Sequence, residues 1–540
     1  MSETIEMPVL VVGAGPVGLA LAGDLGWRGV PCTLIEQSDG SIYQPRQDYV
    51  SARTMEFCRR WGIVADVEAS PYPRDYPQDN AYIAGSLAEG WEIGRWPVPS
   101  MDATPYGPES PQRRERCPQN MFDPILKKFA SSFPHVALRY RHRFAGFAQD
   151  GDGVTVTADR LDTGATVRFR ARYLVGCDGA NSRVRDAAGI AMEGEPVLTY
   201  TTNVIFRCAG FERLHDKRPG YRFIFIDPDG TWATIVAING RDQWRFSIIG
   251  NRHERRELSQ AEIDAAIRKA VGRAFDYEIL SVVPWTRKEL VAAKYRDGRV
   301  LLAGDAVHCH SPTGGFGMNT GVADAVDLSW KLEAMLAGWG GPQLLDSYEA
   351  ERKPVAHRNV MEASGNLRRM LSPGHNPGLL DRTPQGTAVR AALGQEFAQA
   401  MKREWRTAGI HLGYRYEGSP IVWPDGTPAP PYETSTYVPT ARPGARAPHV
   451  NLADGRSTLD LFGRGFVLLR MGEGPDPAPL TAAAGRAALP LTVVALAEPA
   501  VRPAYAAALA LIRPDGHVAW RGDALPADTG ALIDRVRGAA

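Results

Sequence analysis

Four consecutive apolar residues, Val9-Leu10-Val11-Val12, predict a strand buried on both faces. Glycine then clusters over Gly13-Ala14-Gly15-Pro16-Val17-Gly18, and a helical stretch follows to about Arg28. Gly29 ends that helix, and Pro31 to Ile35 reads as a second strand closing on Glu36. The same short apolar style returns at Tyr173-Leu174-Val175-Gly176 and at Arg299-Val300-Leu301-Leu302-Ala303. Elsewhere the style differs. Polar and apolar residues alternate from Val154 to Phe169 around Gly164, which predicts a hairpin. Strand-like runs recur at Tyr200–Cys208, Tyr221–Ile226, Trp232–Ile238 and Trp244–Ile249, separated by turns such as Asp227-Pro228-Asp229-Gly230. Residues 197–285 therefore predict an antiparallel sheet. Residues 70–115 read as loops and short strands, and residues 320–370 as one long helical region. Pro and Gly crowd 372–385 and 417–448, as in linkers. The last stretch, 448–540, alternates strands and helical pieces like a small separate α/β domain.

Composition narrows the class. Of 540 residues, 44% are hydrophobic and 23% charged, which is ordinary for a soluble globular protein. The net charge is +1 and the basic residues are scattered, so no nucleic-acid surface is expected. The most apolar late stretch, Leu489 to Ile512, contains Glu498, Arg502 and three prolines, and predicts no membrane span. The six cysteines form no C-x-x-C pair and stop at Cys309, the pattern of dispersed thiols in a reducing cytoplasm. Met1 to Met7 carries two Glu and no basic run, so no signal peptide is expected and the location reads as cytoplasmic. His308 and His310 flank Cys309 without a spaced carboxylate partner, and no metal site is predicted.

The opening strand–glycine–helix–strand segment carries chemistry. G-x-G-x-x-G sits at the strand-to-helix turn, and Glu36 follows its last glycine by 18 positions. Gly13 would permit the tight turn, Gly15 would let a pyrophosphate approach the backbone, and Gly18 would let helix and strand pack closely. The helix start would face phosphates with free N–H groups, and Glu36 would accept from a ribose diol. This predicts dinucleotide binding without choosing between FAD and NAD.

Two further segments make that choice. Val175-Gly-Cys-Asp178-Gly-Ala-Asn-Ser182 is one, and Leu301-Leu-Ala-Gly304-Asp305-Ala306 with Pro312 and Gly314-Gly-Phe-Gly-Met-Asn319 is the other. With the first motif in this order and spacing, residues 1 to about 365 resemble the class A single-component flavoprotein aromatic hydroxylases. Gly444 to His449, Thr458 to Phe462 and Leu511 to His517 resemble the thioredoxin-like C-terminal domain of the phenol-hydroxylase-type members.

The resemblance implies an α/β fold whose Rossmann-like FAD-binding domain (1–75, 111–196, 286–370) is interleaved with an antiparallel-sheet substrate domain (76–110, 197–285). A helical, Pro/Gly-rich linker (371–447) and a thioredoxin-like domain (448–540) follow. That last domain lacks cysteine, so it is expected to serve packing or a subunit contact, which leaves room for a homodimer. FAD contacts are implied at Gly13, Gly15, Pro16, Val17, Gly18, Glu36, Gln37, Arg46, Gln119, Asp178, Gly304, Asp305, Pro312, Gly315, Phe316, Gly317, Met318 and Asn319. The implied reaction uses NADPH or NADH and O2 to hydroxylate a phenolic or polyketide-like aromatic through a flavin C4a-hydroperoxide. Asp48, five residues before Arg53-Thr-Met-Glu56, resembles the carboxylate that assists the phenol, although Tyr49 stands where the family has glycine. Tyr221, Phe223, Phe225 and Trp232 are expected to wall the substrate. Epoxidation or Baeyer–Villiger insertion is the alternative on this framework, and a non-catalytic FAD-fold scaffold is a further one.

Overall fold

The computed structural model describes residues 4–42, 45–371 and 373–540, so the first residues of the leader reading lie outside it. The apolar runs become one sheet in the order Arg296–Asp297, Val300–Leu302, Thr166–Gly176, Thr4–Val12, Cys32–Ile35, Val136–Arg139. The middle strands are parallel and end in register: Val12 lies opposite Ile35 and Gly176, and Gly176 opposite Leu302. All three nucleotide motifs therefore emerge at the same carboxyl edge of the sheet, where open α/β sheets bind ligands. The expected hairpin pairs Val154–Arg160 with Thr166–Gly176, whose strand then continues into the parallel core. Helix Pro16–Trp27 is buried almost all round, because strands cover one side and helices Gln119–Ser131 and Gly317–Ala337 the other.

A second, eight-stranded sheet runs His308–Cys309, Glu278–Ala292, Met192–Arg207, Gln243–Ile249, Gly230–Ala237, Arg222–Asp227, Asn80–Ala84, Trp91–Trp96. Its two long strands reach beyond 197–285 at both ends and run back toward the parallel sheet. One face packs Phe206, Phe223, Phe225, Ile235 and Phe246 under helix Gln260–Val271. At its far end the opposite face packs Tyr82, Ile224 and Ile226 against helices Asp346–Leu371 and Pro384–Trp405. The remainder of that face borders a cavity.

The long helical region is two helices, Gly317–Ala337 and Asp346–Leu371. The break falls at Gly338-Trp-Gly-Gly-Pro342, where Gly338 adopts φ +81°. The tail forms a mixed four-stranded sheet, with Phe466–Met471 parallel to Leu491–Leu496 and antiparallel to Leu509–Ile512. It shares one apolar core with helix Gly317–Ala337 and the connection that follows it, where Phe466 meets Trp330 and Trp339 edge-on. No helix among the described residues is long and apolar enough to cross a membrane.

Candidate active site

At the carboxyl edge of the parallel sheet the glycine motif has the geometry of a cradle. Gly13 sits at φ +107°, and a Cβ there would lie 2.5 Å from the Cys177 carbonyl oxygen. A Cβ on Gly18 would lie 1.9 Å from the Gly13 carbonyl oxygen, so helix and strand could not approach as they do. Gly15 differs: nothing lies within 4 Å of its Cβ position, and it lines the cavity. Helix Pro16–Trp27 starts there with no side chain capping its first turn and no acidic residue in it. Glu36 holds the turn by accepting from the Ala14 and Ser38 N–H groups at 2.9 and 2.7 Å.

The opposite lip is Pro312 to Gly315, with Gly314 and Gly315 at φ +91° and +67°. Asn319 braces this loop from below, donating to the Gly315 and Tyr49 carbonyls and accepting from the Ser51 N–H. Asp324 braces the adjoining Gly304 turn. Its carboxylate accepts from the Gly304 N–H at 3.1 Å and also meets His308 and Arg352. Burial opposes its ionisation, but Arg352 and His308 hold its pKa below the usual carboxylate value. His308 thus partners a carboxylate within a structural network.

Between the lips lies a charged triad. The two-residue strands Tyr49–Val50 and Glu115–Arg116 pair antiparallel and bring Asp48 beside Arg116. Arg116 Nη1 donates to Asp48 Oδ1 at 2.7 Å, and its Nε donates to Gln78 Oε1 at 2.7 Å. The guanidinium lies over the Tyr221 ring, 3.8 Å from the centroid. The Tyr221 hydroxyl donates to the other oxygen of Asp48. Burial, and then the Asp48 carboxylate, push the Tyr221 phenol above its ordinary value. Tyr221 is thus a neutral hydroxyl on an ion-paired carboxylate.

The cavity joining these parts is about 530 Å³. Its described lining includes six arginines and four carboxyl groups. One of the latter, Asp123, is pushed up to about 8 by burial, only partly countered by a hydrogen bond from Gln119.

Residues 6–363 match the FAD binding domain family, and residues 440–540 match the aromatic-ring hydroxylase C-terminal family. The FAD-dependent monooxygenase apdD of Emericella nidulans is 32% identical, over 96% of this chain and 88% of its own. The 2,4-dichlorophenol 6-monooxygenase of Delftia acidovorans is 31% identical, over 96% and 95%. Among solved structures, chromopyrrolic acid-soaked RebC with bound 7-carboxy-K252c superposes with a TM-score of 0.92 at 40% identity, covering both chains fully. The chain belongs to the FAD-dependent aromatic-ring hydroxylases. Like other members of that family it is an oxidoreductase, a monooxygenase that takes FAD as cofactor and hydroxylates an aromatic substrate, with NAD(P)H as the fitting reductant.

In this aromatic-ring hydroxylase the expected residues divide by position. Gly15, Glu36, Arg46, Asp48, Gln119, Tyr221, Pro312 and Gly315 line the cavity. Gly13, Pro16, Val17, Gly18, Gly304, Asp305, Gly317 and Asn319 stand behind that lining; a Cβ on Gly304 would lie 2.9 Å from Val17. Several expectations need correction. Gln37 is exposed and off the cavity wall, because the chain turns outward after the strand end. Asp178 faces its own turn, where Ser182 Oγ and the Val184 N–H donate to it at 2.5 and 3.1 Å. Phe316 and Met318 are buried in apolar clusters. Phe223, Phe225 and Trp232 face helix Gln260–Val271, away from the cavity. The opposite face instead presents Arg222, Arg245, Ser247, Asn203 and Arg287. Alternation along Trp244-Arg-Phe-Ser carried that signal, since its polar set belongs to the non-core face. Glu404, Trp405 and Thr407 arrive from the linker, which closes the cavity wall.

Proposed function

We propose that this hydroxylase uses NAD(P)H and O2 to oxygenate an extended phenolic aromatic, and that Asp48 is the carboxylate that draws the phenol proton. The Asp48–Arg116–Tyr221 triad on the cavity wall carries this reading. Bound FAD would be held by the Gly15 turn, Glu36, Gln119 and the Pro312–Gly315 loop, and would supply the activation of oxygen. The chain's own groups perform the proton chemistry. A substrate hydroxyl bonded to Tyr221 Oη would pass its proton to that oxygen as Tyr221 passes its own to Asp48, leaving an electron-rich phenolate ring. Arg116 fixes the carboxylate and lies flat on the Tyr221 ring, so the relay is held in one geometry.

RebC was solved with bound 7-carboxy-K252c, and the similarity to it supports a polycyclic rather than a single-ring substrate. Six buried free cysteines suit a reducing, cytoplasmic location. A homodimer remains part of this reading.

Asp48→Asn tests the relay. Hydroxylated product per NAD(P)H consumed is expected to fall about 10²-fold or more while hydrogen peroxide release rises. Unchanged coupling removes Asp48 from the mechanism.

A further inference from the structure

The cavity floor carries charge that neither the glycine cradle nor the Asp48 triad uses. Arg222, Arg245 and Arg287 rise from one face of the antiparallel sheet. Arg222 lies opposite Val236, and Val236 opposite Arg245, so the first two flank a single valine. Arg222 is paired with Glu404 at 2.8 Å. Arg245 gives one N–H to the Pro45 carbonyl at 3.1 Å. Arg287 is only 5% exposed, and its Nε and Nη1 have no acceptor. Burial, with Arg222 and Arg245 nearby, lowers its pKa to about 9, still charged at neutral pH. A buried guanidinium without acceptors, among like charges, is costly in a folded protein. Three arginines against Glu404 leave net positive charge on a wall otherwise lined by uncharged residues such as Asn203, Thr234, Val236 and Ser247. The planar guanidinium suits a carboxylate, which accepts several charged hydrogen bonds at once.

We propose that Arg287, with Arg245 and Arg222, forms a subsite for a carboxylate carried by the aromatic substrate. This deepens the hydroxylase reading and rests on it. An acid would gain the unpaired donors of Arg287, whereas its neutral amide would gain part of them at most. The pyrophosphate of FAD is the competing anion, so the test is run on FAD-loaded enzyme with the flavin content measured.

The probes are 3-hydroxy-2-naphthoate and 3-hydroxy-2-naphthamide, titrated by flavin absorbance change. Wild-type enzyme is expected to bind the acid at least about tenfold more tightly than the amide. Arg287→Met is expected to bring the two constants within about twofold while flavin content holds, and Arg245→Met to narrow the gap. Equal constants in wild type, or no binding of the acid, overturn the proposal. So does an Arg287→Met enzyme that keeps both its FAD and the full acid preference, or one that loses its FAD, which would assign Arg287 to the cofactor. If that variant does not fold, the wild-type comparison and Arg245→Met decide. Product mass with NAD(P)H and O2 separates the two readings: an acid preference without oxygen insertion keeps the subsite and removes the hydroxylase reading of these phenols, and insertion without preference does the reverse.

Discussion

Two glycines with different roles sit three residues apart in sequence. Gly18 is a packing residue: any Cβ would meet the Gly13 carbonyl oxygen at 1.9 Å. Gly15 is a lining residue: its Cβ position is open space in the cavity wall. Gly18→Ala is therefore expected to cost at least about 2 kcal/mol of stability, because strand and helix must part. Gly15→Ala is expected to keep the thermal midpoint and to weaken FAD binding. Thermal unfolding of the apoprotein and flavin titration together check both. Equal stability losses for the two variants would mean that Gly15 too is structural. This residue-level logic was legible in the sequence because the motif is local: glycine spacing, the helix start and Glu36 lie within one strand–helix–strand unit.

At the scale of elements, local legibility ended where facing had to be decided. The strands around Phe223, Phe225 and Trp232 were recognisable from their side-chain pattern, but period-two alternation does not say which face meets a helix and which meets a ligand. Helix Gln260–Val271 takes the aromatic face and leaves the arginines to the cavity. The linker's role was hidden for a related reason, since Glu404 and Trp405 reach the cavity only through tertiary packing of helix Pro384–Trp405. Elements are also tied by charge. Glu56 on helix Ala52–Trp61 accepts from Arg53, from Ser110 and from Arg446 just before the tail sheet. Burial opposes its ionisation, but Arg446 and then Arg53 more than offset this and hold its pKa at about 2, against 4.5 when unperturbed. Its contribution to stability is thus full above about pH 4.5 and is lost as pH falls toward 2. Glu56→Gln is expected to melt lower than wild type at pH 7, and the gap between the two should close as pH falls from about 4.5 to about 2. A gap independent of pH would show that the ion pair does not set it. Arg446→Met, which leaves the buried Glu56 carboxylate to Arg53 and Ser110, is expected to cost about 3 kcal/mol at neutral pH.

The whole molecule is a flavin domain with a substrate sheet inserted into it, and a tail built into its wall. The tail shares the Trp330–Trp339–Phe466 core, and Arg513 meets Glu351 at 2.5 Å and Asp327 at 3.1 Å across the boundary. It has no cysteine, and its packing is that of a fixed buttress for the long helices. The three nucleotide motifs lie far apart in sequence, and their convergence follows from the in-register ends of four parallel strands, which no single segment encodes. The same arrangement sets the Asp48 triad between the glycine cradle and the arginine floor, so that all three line one cavity. The most direct test of that account is oxygen-isotope incorporation. FAD-loaded enzyme is given NAD(P)H and a polycyclic phenol acid under ¹⁸O2, and the product is weighed by mass spectrometry. The expected result is one ¹⁸O atom in each product molecule per NAD(P)H consumed. A protein that takes up no FAD, or product oxygen that comes from water, would contradict it.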